Sequence, residues 1–306
     1  DQLAAELGMD PADVRKKNLI PKFDDGHEVI TTLNYDSGDY PAALDKVLAH
    51  ADYAGLRATQ AKGATNGTYL GLGLASYVEL CGLGPSQVAG AIGFQGGLWE
   101  SAIVRFHPSG KVHVFIGASP HGQGEETTFA QIVSDELGVD TNDVKVFHGD
   151  TDTTPMGWGT YGSRTTAVGG AALALTARKI RDKAKVIAAH LLEAAVEDMD
   201  YEDGKFFVKG APDRHKTITD IALMANVAWN MPAGVEAGLE ASTFYDPPNF
   251  TFPFGAHLAV VEVEAETGVV TLTRYVALDD CGPQINPVIV EGQVHGGVVQ
   301  GIGQAL

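Results

Sequence analysis

Cysteine is scarce in this chain, whose 306 residues include only Cys81 and Cys281. Two thiols that lie far apart in the sequence argue against a disulfide framework and fit the reducing cytoplasm. They are also too few to ligate an ordinary iron–sulfur cluster. If the protein carries out redox chemistry, its electron-transfer centres must therefore lie on other chains or other segments.

Basic residues are outnumbered, with 21 Lys and Arg against 39 Asp and Glu and a formal net charge of -18. So negative a chain disfavours DNA, RNA and anionic membranes as partners. No apolar run approaches the roughly 20 residues of a membrane span, and no secretory signal pattern opens the sequence. We predict a cytoplasmic protein with no nucleic-acid partner and no membrane span.

Several catalytic signatures are missing too. The sequence contains no H-E-x-x-H, no paired His and Cys spacing of the kind that binds zinc, no Walker lysine pattern and no G-x-S-x-G. We therefore assign no metal ligands and no catalytic residue. The chain begins without Met in a pattern typical of a helix end and stops at Leu306 within another helical pattern, so we expect it to be a segment of a longer protein.

The patterns that are present favour an α+β fold. Helical signals occur at Pro11, over 40–48, and in two apolar stripes over 129–137 and 173–191. Strand signals cover 71–78 and two hairpins, 102–116 and 256–278. We expect 56–68 to be a surface connection and 201–250 to be rich in turns. Because strands and helices come in blocks without regular alternation, we predict mixed and antiparallel sheets with packed helices.

Glycine is abundant, and the first glycine-rich segment contains Gly122, Gln123 and Gly124 between a strand pattern and a helix pattern. Glycine lets the backbone approach a ligand, and the start of a helix offers free N–H donors. The Gln123 side chain can donate and accept hydrogen bonds at once. An ordinary strand-to-helix turn explains the same pattern.

The second glycine-rich segment precedes an alanine-rich helix pattern. Its residues of interest are Thr160, Tyr161, Gly162, Ser163, Arg164 and Thr165. Hydroxyl groups, a glycine and an arginine near a helix N-terminus suit an anionic ligand. A helix start capped by Ser163 or Thr165 is the alternative interpretation.

The third segment joins Asp280 and Cys281 to a glycine-rich helix. Asn286 is the predicted N-cap, with a proline at the first helical position. The helix pattern then contains glycine at 292, 296, 297, 301 and 303, each of which costs up to about 1 kcal/mol relative to Ala. We expect this helix to be buried, either packed closely on another element or pressed against a bulky ligand, and we expect Gln293 to need a polar partner there.

Together the three segments resemble the second molybdenum-cofactor domain of the xanthine oxidase family of molybdenum hydroxylases. The matching strings are G-Q-G at 122–124, G-T-Y-G-S-R at 159–164, D-C-G at 280–282, I-N-P at 285–287 and G-Q-V-H-G-G at 292–297. The strings E-L-G-M-D-P at 6–11, Y-D-P-P-N-F-T at 245–251 and L-D-D-C-G at 278–282 resemble the large subunits of the carbon monoxide dehydrogenase subgroup. The resemblance implies that residues 1–55 end a first cofactor-binding domain and that residues 56–306 form a second one, truncated at its C-terminus.

The resemblance also implies a cofactor, molybdopterin with molybdenum and a cytosine dinucleotide tail. The implied cofactor-binding residues are Gly122, Gln123, Gly124, Thr160, Tyr161, Gly162, Ser163, Arg164, Thr165, Asp280, Cys281, Asn286 and Gln293. Of these, Gln123 is expected to contact the pterin near the metal, and Gln293 with its helix to hold the pterin side. Tyr77, Val78 and Glu79 are expected to approach the substrate channel.

Further expectations concern parts outside the chain. The resemblance implies hydroxylation with oxygen from water, electron transfer to an iron–sulfur subunit with 2Fe-2S and a medium subunit with FAD, and a dimer of heterotrimers. The family's catalytic glutamate is expected beyond Leu306 and the substrate-defining loop before Asp1, so copper is expected only if that loop carries the copper-binding cysteine. Glu125 stands where relatives usually have His, which either tunes the subgroup or favours a helix start.

The substrate stays open at this point among carbon monoxide, an aldehyde and a heteroaromatic ring. A non-catalytic cofactor-binding or assembly module is a second hypothesis, which the presence or absence of the downstream glutamate would test. A third is a phosphate-binding enzyme that uses the helix start at 162–166, and this one predicts no molybdenum.

Overall fold

The computed structural model describes residues 1–30 and 33–306. The α-helices are α1 (Gln2–Leu7), α2 (Pro11–Asn18), α3 (Tyr40–Ala51), α4 (Tyr53–Gln60), α5 (Ser86–Ala91), α6 (Glu125–Leu137), α7 (Ala171–Leu191), α8 (Ile218–Val227) and α9 (Pro287–Ala305). The strands are β1 (His27–Glu28), β2 (Asn34–Tyr35), β3 (Thr68–Val78), β4 (Glu100–Phe106), β5 (Val112–Ile116), β6 (Val144–Phe147), β7 (Met199–Glu202), β8 (Lys205–Val208), β9 (Ala211–Thr217), β10 (Leu239–Tyr245), β11 (Phe254–Glu264) and β12 (Val270–Asp280). A π-helical turn over Thr165–Gly170 leads directly into α7.

Within the described residues the strands form four sheets, ordered β1-β2, β10-β4-β5-β6, β12-β11-β3 and β7-β8-β9. Neighbouring strands are antiparallel except for β5 and β6, which run parallel. Mixed sheets with helices in separate blocks confirm the predicted α+β class, and both predicted hairpins are present as β4–β5 and β11–β12. None of the described helices has the length and apolar character needed to cross a membrane.

The chain packs as two compact units. Unit 1 comprises Asp1–Leu80, Thr251–Gln284 and Val290–Leu306, and unit 2 comprises Cys81–Phe250 and Ile285–Ile289.

Unit 1 is built on the three-stranded sheet with β11 at its centre. Helix α3 begins after Asp39, whose Oδ1 accepts a hydrogen bond from the Ala42 N–H at 3.1 Å. This satisfies a donor that the first turn of a helix otherwise leaves free. Leu44 and Val47 of α3 are buried with Leu258 of β11 in one apolar cluster. Removal of these side chains from water is what fixes the helix on the sheet.

Unit 2 is built on the four-stranded sheet and on α6 and α7. Alternate residues are buried along β5 and over residues 102–106 of β4, as the period of a half-buried strand requires, whereas the first three residues of β4 are all buried. The apolar stripe predicted in α7 is confirmed, because Leu173, Ile180 and Ile187 are fully buried in the same cluster as those strands. Helix α6 ends, as its sequence predicts, at Gly138 with a left-handed φ of 56°.

Two sequence predictions are wrong in part. The surface connection expected over 56–68 contains the second half of α4, which begins at Tyr53. Its N-cap is Asp52, whose carboxylate accepts from the Gly55 N–H at 3.3 Å. The turn-rich segment expected over 201–250 contains α8 and most of β7–β10. The signal for α8 was present in the sequence, since Thr217 and Asp220 form a capping box.

Candidate functional site

Two of the predicted glycine-rich segments meet at Thr160. The Ser119 N–H donates a hydrogen bond to Thr160 Oγ1 at 3.1 Å, and Thr165 Oγ1 donates to the same atom at 2.8 Å. The His121 ring Nε2 lies 3.1 Å from the Thr160 carbonyl oxygen. The loop between β5 and α6 and the loop before α7, far apart in sequence, are thus tied together in unit 2.

The first of these loops has a backbone that glycine makes possible. Gly122 and Gly124 have left-handed φ angles of 108° and 86°, which other residues rarely adopt. Gln123 folds back on its own loop, and its Oε1 accepts the His121 N–H at 2.5 Å. The acceptor half of the Gln123 amide is therefore in use. The Nε2 group, for which the described residues supply no acceptor, is the half left to donate.

The start of α9 packs against the same loop. Asn286 Oδ1 accepts the Ile289 N–H at 3.1 Å, which confirms the predicted N-cap, and Asn286 Nδ2 donates to Gln131 of α6 at 2.9 Å. A Cβ added at Gly124 would lie 2.7 Å from Cδ1 of Ile289. The left-handed φ angle of 86° therefore favours glycine at 124, and the contact with Ile289 leaves little room for a Cβ. The helix start of the third predicted segment, Ile285–Ile289, therefore lies in unit 2 with the other two segments.

The position of Arg164 near a helix start predicted that its side chain contacts an anionic ligand. The structure instead uses the side chain in internal contacts. Its side chain is fully buried and pairs with the fully buried Glu100, Nη1 to Oε2 at 2.8 Å. The remaining guanidinium donors are taken by backbone carbonyls of residues 83, 98, 99 and 159. Direct contact between Arg164 and an anion does not agree with this geometry, because no donor is left over.

Glu100 is a site residue that sequence reasoning missed. Burial raises the pKa of its carboxyl, while the Ser101 N–H and the Arg164 guanidinium act in the opposite direction by hydrogen bonding. Removing one partner would leave the other charge buried without a counter-ion. The resulting loss of folding stability is larger than the net stability that the intact pair contributes. The pair therefore fixes the loop before α7 onto β4. The only local indication of this role in the sequence was a glutamate at the start of an apolar strand.

The second loop also has unusual backbone geometry. Ser163 and Gly162 have left-handed φ angles of 51° and 56°, and the Ser163 carbonyl accepts the Gly82 N–H at 3.1 Å. Neither Ser163 nor Thr165 caps the following turn, so the capped-helix alternative is wrong in its choice of cap. Residues 157–162 match the pattern G-x-G-x-x-G. A dinucleotide-binding fold requires a strand directly before this pattern, and the structure has none there among the described residues.

Two buried polar atoms near these loops have no hydrogen-bond partner among the described residues. They are Oε2 of Glu125, on the first residue of α6, and the indole Nε1 of Trp158, in the second loop. Buried polar groups are nearly always paired, so such atoms mark places where a further molecule is expected. One is an acceptor when ionised and the other a donor, which suits a ligand carrying both kinds of group.

The remaining predicted site residues belong to unit 1. At the end of β3, Tyr77 donates its hydroxyl hydrogen to Asp279, which also lies 3.1 Å from Nε2 of His257. Burial alone would raise the pKa of Asp279, but the hydrogen bonds from His257 and Tyr77 lower it overall. Val78 pairs with β11, and the Glu79 N–H donates to a backbone carbonyl at 2.9 Å. The expected substrate-channel residues are thus anchored by a polar network.

Asp280 and Cys281 lie at the end of β12. Asp280 accepts the Gly282 N–H at 3.0 Å, which shapes the turn that follows. Burial and the neighbouring Asp280 carboxylate raise the pKa of the Cys281 thiol. The thiol is therefore a weak nucleophile at neutral pH. Among the described residues, no group of three or more His, Cys, Asp or Glu side chains is arranged to hold a metal ion.

The prediction that α9 is buried is wrong for the described chain. Beyond its first turn, α9 carries no buried residue, and the Gln293 side chain is exposed. A Cβ at any of its glycines between 292 and 303 would meet no atom within 4 Å. The close approach expected from its glycine content is not made by any described residue.

Comparison with known proteins identifies the class. The sequence profile of the molybdopterin cofactor-binding domain family matches residues 46–306. The carbon monoxide dehydrogenase large chain of Hydrogenophaga pseudoflava is 47% identical over all of this chain, which spans 38% of that relative. Reconstituted CO dehydrogenase from Oligotropha carboxidovorans matches 96% of this chain and 37% of its own, with 43% identity and a TM-score of 0.91. Quinoline 2-oxidoreductase from Pseudomonas putida 86 matches 99% of this chain and 38% of its own, with 36% identity and a TM-score of 0.91.

The chain therefore belongs to the molybdopterin cofactor-binding domain family, and its resemblance to the large subunits of the xanthine oxidase family is confirmed. The similarity to the carbon monoxide dehydrogenase subgroup is confirmed in the same way. The chain spans well under half of the length of these relatives.

Proposed function

We propose that this chain is part of the large subunit of a molybdenum-dependent oxidoreductase that oxidises carbon monoxide with water as the oxygen source. The observation that carries the proposal is the convergence of the G-Q-G loop, the G-T-Y-G-S-R loop and the I-N-P helix start in unit 2. Backbone N–H groups, hydroxyls and amides assembled in this way suit a large polar anionic ligand. The partnerless atoms of Glu125 and Trp158 support a ligand that carries both hydrogen-bond donors and acceptors.

Within this proposal the residues of unit 2 bind and orient the cofactor. Gln123 donates from Nε2, since its Oε1 is held by His121. The other proposed contacts in unit 2 are Gly122, Gly124, Thr160, Tyr161, Gly162, Ser163, Thr165 and Asn286. Arg164 acts as a positioning residue through Glu100. When bound, the cofactor supplies the molybdenum at which the substrate is oxidised, and the protein supplies its binding and orientation.

Unit 1 contributes the remaining proposed residues. We assign Asp280, Cys281 and Gln293 to the cofactor, and Tyr77, Val78 and Glu79 to the substrate channel. The exposed Gln293 side chain is free to meet such a ligand. We assign residues 1–55 to the end of the family's first cofactor-binding domain and residues 56–306 to its second.

The remaining assignments concern the longer protein. We propose that the cofactor carries a cytosine dinucleotide and that an iron–sulfur subunit and an FAD subunit accept the electrons in a dimer of heterotrimers. The catalytic glutamate then lies outside residues 1–306, and copper is present only if the upstream loop supplies its cysteine. The scarcity of cysteine supports centres on partner subunits and a cytoplasmic location.

A second candidate function is the oxidation of a nitrogen heteroaromatic ring. It is favoured by the quinoline 2-oxidoreductase structure, which fits this chain with the same TM-score of 0.91 as the carbon monoxide enzyme. Sequence identity favours carbon monoxide, with 47% for the Hydrogenophaga chain against 36% for the quinoline enzyme.

The test uses the full-length protein purified with its partner subunits. Metal analysis and acid release of the cofactor should find molybdenum, a pterin and cytidine monophosphate, and carbon monoxide should reduce an artificial electron acceptor. Reduction by quinoline or an aldehyde but not by carbon monoxide would favour the second candidate. Bound molybdopterin with no turnover on any of these substrates would indicate a binding module. Absence of molybdenum and pterin would overturn the proposal.

A further inference from the structure

Glu125 is buried in an unusual way. It is the first residue of α6, directly after Gly124, and only 6% of its surface is exposed. Its Oε2 has no hydrogen-bond partner among the described residues. The next residue, Glu126, is exposed and pairs with His148 at 2.7 Å. A buried carboxylate oxygen without a donor is destabilising, so its presence at 125 calls for a partner from elsewhere.

The position of Glu125 restricts the chemistry of that partner. Glu125 is the first residue of α6, and the oxygens of a carboxylate accept hydrogen bonds. The partner must therefore carry an N–H or O–H donor. A metal ion is a poor alternative, since Glu125 belongs to no cluster of potential ligands in the described part of the chain.

The neighbours of Glu125 point to a heterocyclic ligand. Gly122, in the same loop, leaves open space where a Cβ would stand, and Gln123 has its Nε2 group left to donate. A donor at 123 and an acceptor at 125 match a nitrogen heterocycle, which carries ring N–H groups, an exocyclic amine and acceptors. They do not match a simple phosphate, because a buried carboxylate repels it.

We propose that Glu125 is a cofactor-binding residue whose carboxylate accepts a hydrogen bond from an N–H group of the pterin-type heterocycle. This rests on the proposed function and deepens it, because none of the contacts assigned above uses this side chain. A charge-assisted hydrogen bond of this kind is shorter and stronger than a neutral one. Glu125 then contributes to retention of the organic part of the cofactor.

The experiment compares Glu125→Leu, Glu125→Gln and the matched control Glu126→Gln in the full-length protein with its partner subunits. Pterin and molybdenum are measured per subunit after purification. Thermal unfolding is measured separately on protein from a host that cannot make molybdopterin. Glu125→Leu should lower pterin content about 10-fold and leave the unfolding temperature of the cofactor-free protein unchanged or higher. Glu125→Gln, which keeps a carbonyl acceptor, should be intermediate, and Glu126→Gln should match wild type.

Two results would overturn the assignment. Wild-type pterin content in Glu125→Leu would show that the carboxylate has no partner on the cofactor. A parallel fall in pterin content and in the stability of the cofactor-free protein would show that the partner is a protein donor. If the wild-type protein itself contained no pterin, the proposed function would fail and this assignment with it. A loaded wild type with equally loaded variants refutes the role of Glu125 alone.

Discussion

Gly124 and Gly157, in the loops of unit 2, and the glycines of α9 occupy opposite environments. A Cβ at Gly157 would lie 2.5 Å from the Cα of Gly117, and one at Gly124 would lie 2.7 Å from Ile289. At the α9 glycines between 292 and 303, a Cβ would meet no atom of the described chain within 4 Å. At these two positions of unit 2 an added Cβ would meet neighbouring atoms, whereas at the α9 positions it would meet none of the described chain.

The difference shows what each region needs from outside the chain. In unit 2 the protein's own contacts fix the loops, but among the described residues the buried Oε2 of Glu125 and Nε1 of Trp158 near them have no partner. In α9 each glycine costs up to about 1 kcal/mol of helix stability with no contact among the described residues to offset it. We infer that the face of α9 is completed by the cofactor or by the rest of the longer protein. The chain spans only 38% of the Hydrogenophaga relative.

The largest effect should follow from breaking the buried pair that holds unit 2 together. In the full-length protein, Arg164→Met leaves Glu100 buried without its partner and should destabilise the protein by about 3–5 kcal/mol. The control is Arg105→Met, which breaks the exposed pair with Glu240 and should cost less than about 1 kcal/mol. The two variants are compared by denaturant unfolding followed by intrinsic tryptophan fluorescence. Equal losses would mean that the buried pair does not fix the loops.

An intermediate effect is expected at the close glycine contacts. Gly157→Ala forces a methyl group against Gly117 and the Glu100 carboxylate, and overpacking of this kind typically costs about 1–3 kcal/mol. Gly90→Ala, at a helical glycine with open space around it, should instead be neutral or stabilising. The contrast is measured as a difference in unfolding temperature. If Gly157→Ala is tolerated as well as Gly90→Ala, the internal packing described for unit 2 is not needed.

The smallest effect on stability, but a large one on cofactor content, is expected in α9. Gly296→Leu or Gly297→Leu should change the stability of the cofactor-free protein by less than about 1 kcal/mol. In the assembled protein the same change should abolish molybdenum loading if the cofactor, rather than the rest of the longer protein, completes this face. Glu202→Leu, at an exposed position, serves as the control. Equal molybdenum occupancy in the α9 variants and the control would break the comparison between the two regions.

Local signals in the sequence account for much of the fold. The cap at Asn286, the stripe of α7 and the glycine end of α6 each depend on residues within a few positions of one another. Both hairpins were predicted for the same reason. Such patterns are set by the helix and strand periods and by caps, which the sequence shows directly.

The rest depended on contacts between distant positions. Arg164 and Glu100 are 64 positions apart, so a motif that suggested an anion site gave no hint of a partner that uses up the guanidinium. The glycine content of α9 predicted close packing, whereas in the structure no described residue packs against these glycines. In the site itself, the three segments were predicted from composition, whereas the meeting of two of them at Thr160 and the contact of Asn286 with Gln131 were visible only in the structure.

The most direct test of the central claim, that the unit 2 loops bind the molybdenum cofactor, is the turnover per bound molybdenum of Gln123→Ala in the assembled, full-length enzyme. Loss of the Nε2 donor leaves its partner unpaired at roughly 1–3 kcal/mol, which corresponds to a fall of about 5- to 150-fold if the bond acts in the transition state. The account predicts this fall with little change in unfolding temperature. Unchanged turnover per molybdenum, with a lower unfolding temperature, would show that Gln123 only holds His121 in the loop and would contradict the account.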